Sequence, residues 1–319
     1  MPRTRDPKEL FDAAVAGDRA AVARLLSVVE RGGPAARDVS RLVFPRCGDA
    51  YTVGITGAPG AGKSTLTDQV ITTIRGAGEE VGVLAVDPSS PFSGGAILGD
   101  RVRMQDHALD QGVFIRSMAT RGHLGGLTLA TREAIRVLDA SGFRLVLVET
   151  VGVGQVEVEI AQAADTTVVV VNPGWGDAVQ ANKAGLLEIA DVFVINKADR
   201  PGVRETERDL KSMLSMSDLG DWTPPIVPAV ASTGEGVADV WAAIGDHRRH
   251  LEGSGLLEGR RRHRLEDELR EIVVRRLEQE AYQRCADAFE RLLVGVLERR
   301  VDPYSAADEL VETLRGGED

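Results

Sequence analysis

Eight consecutive residues carry the clearest chemistry in the chain. Gly57-Ala58-Pro59-Gly60-Ala61-Gly62-Lys63-Ser64 fits the spacing G-x-x-x-x-G-K-[ST], with Thr65 following. Glycines at these positions let successive backbone N–H groups turn inward as an anion nest, backed by the positive end of a helix. A lysine and a hydroxyl closing such a loop are placed to reach the β- and γ-phosphates (Lys63) and to ligate Mg²⁺ (Ser64). The alternative is a glycine-rich turn that binds nothing. It loses force because the loop follows an apolar run, Tyr51–Thr56, and opens an amphipathic one, Lys63–Arg75. A nucleoside-triphosphate site is the expectation.

Asn196-Lys197-Ala198-Asp199 ends a later apolar run, Val192–Asn196. An N-K-x-D turn at a strand's carboxyl end suits guanine. The Asp199 carboxylate can accept from both N1–H and the 2-amino group, Asn196 can brace neighbouring loops, and the Lys197 stem can cover the ring. Pairing demands of this kind discriminate bases strongly. Beyond the next strand, Val230-Ala231-Ser232 occupies the place where guanine loops usually read Ser-Ala, with Val230 where the serine would stand. An N–H from Ala231 is the expected replacement donor.

Three acids lie where the carboxyl edge of a parallel sheet would gather ligands: Asp87, Asp100 and Glu149. Mg²⁺ needs only one or two carboxylates beside phosphates. Glu149 at the end of Leu145–Glu149 fits that role, and Asp87 and Asp100 fit metal-water or switch positions. Lysine is rare, at positions 8, 63, 183, 197 and 211, and two of these five fall inside the nucleotide motifs.

The elements that must position these residues follow from periodicity. Apolar runs at Tyr51–Thr56, Val81–Val86, Val113–Ile115, Leu145–Glu149, Thr166–Val171, Val192–Asn196 and Ile226–Val230 read as strands. Helical segments fall between them, at Lys63–Arg75, Leu127–Ala140, Ala178–Ile189, Arg204–Leu214 and Val237–His250. Buried Val/Ile/Leu strands alternating with helices imply an α/β fold whose central sheet is mostly parallel and covered on both faces. Residues 6–31 read as one helix stopped by Gly32-Gly33-Pro34, and 256–318 as charged helix. The domain expectation is a helical N-terminal extension over 1–48, a P-loop domain over 49–252 and a helical C-terminal arm over 253–319. Apolar stripes on the arm (Leu265, Leu269, Ile272, Leu277; Phe289, Leu292, Val296) predict self-association into a dimer.

Composition closes other avenues. Of 319 residues, 38 are Lys or Arg and 49 are Asp or Glu, giving a net charge of −11. That balance argues against nucleic acid or an anionic membrane as partner. Two cysteines cannot build a disulfide framework, and neither a signal peptide nor a membrane-length apolar run is legible, so a cytoplasmic location is the expectation. The five histidines are scattered, with His247 and His250 placed on a helix surface. They do not form the metal site of a nickel-insertion GTPase. A transport-system kinase would need ATP, against Asn196 and Asp199. A decayed scaffold is disfavoured by intact Lys63, Ser64 and Glu149.

Taken together, G-A-P-G-A-G-K-S, V-D-P-S-S-P-x-S-G-G, L-G-D-R-x-R-M, E-T-V-G-V-G-Q and N-K-A-D resemble the MeaB/ArgK family of methylmalonyl-CoA-mutase-associated GTPases, of the SIMIBI class. The resemblance implies a homodimeric GTPase that accompanies an adenosylcobalamin-dependent acyl-CoA mutase. It implies gating of cofactor delivery from a cobalamin adenosyltransferase, and protection or reactivation of the mutase. It also implies a third switch loop, from Pro173-Gly174-Trp175-Gly176-Asp177 to Lys183. Glu149-Thr-Val-Gly152 departs from D-x-x-G-Q, which leaves Gln155 as the candidate for orienting water, and slow basal turnover is expected.

Overall fold

A computed structural model of the chain describes residues 6–87, 104–107, 109–119, 126–150, 163–174, 188–217 and 220–316. Seven strands form one sheet: β1 (Tyr51–Gly57), β2 (Val81–Asp87), β3 (Val113–Ala119), β4 (Leu145–Thr150), β5 (Thr166–Val171), β6 (Val192–Asn196) and β7 (Ile226–Ala229). Their spatial order is β3-β2-β4-β1-β5-β6-β7, and every neighbouring pair is parallel. β1 is therefore central, with Ile55 opposite Glu149 on one side and Gly57 opposite Val170 on the other. The expected strands are all present. β3 runs past Ile115 through Arg116 and Ser117, polar residues that end the apolar signal but not the pairing with β2.

Alternation along the strands sorts side chains to two faces. Val53, Ile55, Val81, Val83, Leu145, Leu147, Val168 and Val170 pack on one face against α4 (Lys63–Gly76) and α7 (Val237–Ser254). On the other face, Leu84, Val86, Val146 and Val148 meet α5 (Gly126–Ala140) and three N-terminal helices, α1 (Pro7–Val15), α2 (Arg19–Arg31) and α3 (Gly33–Val43). Val169, Val171, Phe193 and Ile195 meet α6 (Val203–Leu214) on that same side.

The N-terminal reading needs correction in two places. Residues 6–31 are two helices, broken where Gly17 takes φ +93 and Asp18 caps the second helix by accepting from the N–H groups of Ala20 and Ala21. The stop after Arg31 holds, with Gly32 capping α2 at φ +71, but Gly33-Pro34 at once starts a further helix, α3, since proline is tolerated in a first turn where its missing N–H would have no partner.

His247 also departs from expectation. It is fully buried, not on a helix surface. Its Nδ1 lies 2.8 Å from Thr166 Oγ1, itself 2.5 Å from the Tyr51 hydroxyl. Its Nε2 lies 3.2 Å from Asp191 Oδ1, and the Trp222 ring packs tilted against the imidazole at 4.9 Å and donates to the Asp191 carbonyl. This polar chain ties α7 to the amino ends of β1, β5 and β6, opposite the nucleotide motifs. Burial pushes the Tyr51 hydroxyl up to about 12, the nearby Asp165 and Asp191 charges adding to the effect.

The chain divides into two compact units, Met1–Glu258 and Gly259–Asp319. The second contains most of α8 (Leu256–Arg284), with α9 (Ala286–Leu297) and α10 (Pro303–Gly316). Within it Tyr282 and Phe289 rings pack at 5.0 Å and Arg291 pairs with Glu309 at 2.9 Å. Leu265, Leu269, Leu277 and Leu297 are exposed, Leu269 at 64% and Leu297 at 74%.

Candidate nucleotide site

The carboxyl ends of β1, β4, β5, β6 and β7 bring the predicted motifs to one edge of the sheet. β1 delivers Gly57 into the loop, and the loop opens α4 at Lys63. Gly57, Gly60 and Gly62 take φ of +134, +70 and +92, the left-handed region that disfavours a side chain. At Gly57 and Gly62 space forbids one as well, whereas Gly60 faces open space. A Cβ on Gly57 would lie 2.1 Å from the Val170 carbonyl oxygen, and on Gly62 2.3 Å from Asn196 Nδ2. Ala58, Pro59 and Gly60 form the outer crest, while Ala61 is fully buried beneath it.

Lys63 is buried, and its ammonium donates to the carbonyls of Gly57 (2.5 Å) and Ala58 (3.1 Å). Ser64 and Thr65 are exposed in the first turn of α4. The Ser64 hydroxyl donates to Glu149 Oε1, and Glu149 itself is fully buried. One residue beyond it, Thr150 Oγ1 donates to Thr56 Oγ1 at 3.2 Å, closing the floor between β4 and β1. A hydroxyl against a buried carboxylate, both hard oxygen donors, is a fitting pair for Mg²⁺. Asp87 ends β2 in register with Ala119. Asp100 lies outside the described residues, as do Gln155, Trp175, Gly176, Asp177, Lys183 and most of the helix read at Ala178–Ile189.

The N-K-x-D turn is locked onto the phosphate loop. Asn196, 2% exposed, donates through Nδ2 to the Ala61 carbonyl (2.8 Å) and accepts through Oδ1 from the Ala231 N–H (3.0 Å). Lys197 donates to the Gly60 carbonyl at 2.6 Å and holds φ +59, strained for a residue with a side chain. The Ala198 N–H donates to the Ala229 carbonyl at 3.0 Å, fixing the turn to the end of β7. Asp199 is exposed, and its carboxylate makes no hydrogen bond among the described residues.

The third loop corrects the expectation for Ala231. Its N–H, read as a donor to the base, is taken by Asn196. Val230 is buried and its N–H donates to the Glu235 carbonyl at 2.9 Å, forming an isolated bridge. Ser232 is exposed, and its N–H makes no hydrogen bond among the described residues. It is the amide of the three that is left to offer.

Sequence reading missed one contributor. Asn172, just past β5, donates from Nδ2 to the Gly60 carbonyl at 3.4 Å. The only signal was a polar side chain interrupting the run Thr166–Val171 before Pro173.

Comparisons with known proteins agree with this geometry. The family model described as methylmalonyl-CoA mutase-associated GTPase MeaB matches residues 22–286. A Pyrococcus abyssi protein provisionally named a GTPase is 51% identical over 316 residues, covering 97% of each chain. The Escherichia coli GTPase ArgK is 34% identical over 315 residues, covering 94% of each. A solved structure of an LAO/AO transport system kinase superposes with a TM-score of 0.76 at 26% identity, covering 99% of both chains. The chain therefore belongs to the MeaB family of methylmalonyl-CoA mutase-associated P-loop GTPases.

Proposed function

We propose that the chain binds GTP with Mg²⁺ at this edge, hydrolyses it to GDP and phosphate, and uses the cycle to chaperone an adenosylcobalamin-dependent acyl-CoA mutase, methylmalonyl-CoA mutase in the first instance. The observation that carries the nucleotide assignment is the bracing of Asn196 and Lys197 on the crest of the phosphate loop, with the Asp199 carboxylate left exposed beside it. That arrangement offers a paired acceptor to a guanine edge, which adenine cannot match.

In this reading the amides of 58–65 cradle the phosphates. Lys63 exchanges its two loop carbonyls, Gly57 and Ala58, for the β- and γ-phosphate oxygens, where its charge is most useful as the transition state develops. Ser64 and Glu149, with Asp87 and Asp100 as their sequence motifs suggest, would hold Mg²⁺, which neutralises phosphate charge when bound. To do so, the Ser64 hydroxyl would give up its hydrogen bond to Glu149 and offer an oxygen lone pair, and the buried Glu149 carboxylate would supply the negative charge. Val230 seals the pocket floor and Ser232 supplies the amide that Ala231 cannot.

Association with the mutase is supported by the family's own description; gating of cofactor transfer from an adenosyltransferase, and protection or reactivation of the mutase, are finer parts of the proposal. A cytoplasmic location is a further part of the proposal; no helix among the described residues is long and apolar enough to cross a membrane. The likeness to a transport system kinase favours a second reading, phosphoryl transfer from ATP, but the guanine-type turn speaks against it. The three-part division at 48 and 252, and a homodimer made through the arm, are further parts of the proposal. Exposed Leu265, Leu269 and Leu277 support the second. Mixing the full-length protein with purified methylmalonyl-CoA mutase tests the role. A complex whose GTP turnover exceeds that of the protein alone is expected, and no complex in any nucleotide state would overturn it.

A further inference from the structure

An anion nest imposes a demand on its outer side. If the amides of a loop point inward, the carbonyls of the same peptides point outward, and each needs a donor to keep it there. The donors can be named here. Asn196 Nδ2 serves Ala61 at 2.8 Å and Lys197 Nζ serves Gly60 at 2.6 Å. Gly60 has a second donor, Asn172 Nδ2, at 3.4 Å.

The two donors on Gly60 differ in kind. Lys197 reaches it on a long flexible stem that gives up considerable rotamer freedom to do so, and that stem must also lie over the base. Asn172 has two side-chain torsions, starts from the end of a buried strand and is set by register, since Val170 lies opposite Gly57. Its next neighbours are pinned too, for the Gly174 N–H donates to Thr206 Oγ1 at 3.2 Å on α6. Asn172 Oδ1 is buried and has no hydrogen-bond partner among the described residues. No hydrogen bond among the described residues opposes a rotation of the amide toward Gly60, so closing 3.4 Å toward the usual ~2.9 Å breaks none of them.

We propose that Asn172 is a positioning residue of the nucleotide site, holding the Gly60 carbonyl outward jointly with Lys197 and so aiming the loop amides at the phosphates of a guanine nucleotide. The proposal rests on the nucleotide reading above. Because the brace acts on the loop in the ground state and the transition state alike, its loss should raise KM more than it lowers kcat.

The test titrates GDP with Mg²⁺ into the full-length protein and into Asn172→Leu, Asn172→Asp, Lys197→Met and the Asn172→Leu/Lys197→Met pair. Asn172→Asp keeps the shape and removes the donor, so a packing defect in the leucine variant does not decide the outcome. The expected result is a Kd raised about three- to tenfold in both single Asn172 variants, the size of one neutral hydrogen bond. GTP KM should rise in step. The double variant should lose more than the product of the single losses, because both side chains hold one oxygen. Wild-type Kd in both Asn172 variants, or single effects that merely multiply, would overturn the proposal while leaving the guanine reading intact. A wild-type protein that does not bind GDP would overturn both.

Discussion

Replacing Asn196 by alanine removes one side chain and leaves two buried backbone groups, the Ala61 carbonyl and the Ala231 N–H, without their partner. Ala61 is 0% exposed and Ala231 2%, so water does not readily take over. Each unsatisfied buried group costs about 1–3 kcal/mol. Relaxation at the loop crest should hold the sum to about 2–4 kcal/mol. In a domain of this size that lowers the melting temperature by about 4–16 °C. The same brace sets the phosphate loop against the base turn, so part of the cost reappears as lost preorganisation, and GDP Kd should rise at least tenfold. Calorimetric titration and thermal melting on the same preparation separate the two. A melting temperature that falls with GDP affinity unchanged would refute the claim that Asn196 couples the loops. No change in either would refute the hydrogen-bond assignment itself.

Four further outcomes follow from the same geometry. Asp199→Asn should weaken GTP and favour xanthosine triphosphate, whose 2-oxo group wants a donor; competition between the two nucleotides reads this directly. Glu149→Gln should raise the Mg²⁺ concentration needed for half-maximal GTP turnover, since the buried carboxylate facing Ser64 loses its charge. Tyr51→Phe bears on alkaline stability. The folded hydroxyl ionises near 12 against an ordinary 10, so between those pH values the unfolded chain gives up a proton that the folded one keeps, and stability falls as pH rises. The phenylalanine variant should lack that component of the loss in melts taken from pH 9.5 to 11.5. Full-length protein in sedimentation should run at twice its 34.1 kDa, and a monomer at micromolar concentration would remove the dimer from the account.

Much of this was legible in the residues. Gly57–Ser64 and Asn196–Asp199 are local patterns whose spacing is their mechanism, and strands such as Thr166–Val171 are continuous apolar runs because both their faces are buried. What escaped depends on contacts distant in sequence. The Ala231 amide looked available because its acceptor, Asn196, comes from another strand. Asn172 gave only a polar interruption, and its purpose appears once β5 lies beside β1. His247 read as a surface residue because nothing local shows that Trp222 and Asp191 enclose it. The break at Gly17 and the helix start at Gly33-Pro34 were misjudged because glycine and proline punctuate helices at either end, and only the cap hydrogen bonds say which.

The central claim is that Asn196, Lys197 and Asp199, held on the phosphate loop, choose guanine. Equilibrium titration of the full-length protein with GTP and with ATP, each with Mg²⁺ and a non-hydrolysable γ-phosphate, tests it most directly. The account predicts that the GTP analogue binds at least a thousandfold more tightly; equal affinity for the two would contradict it.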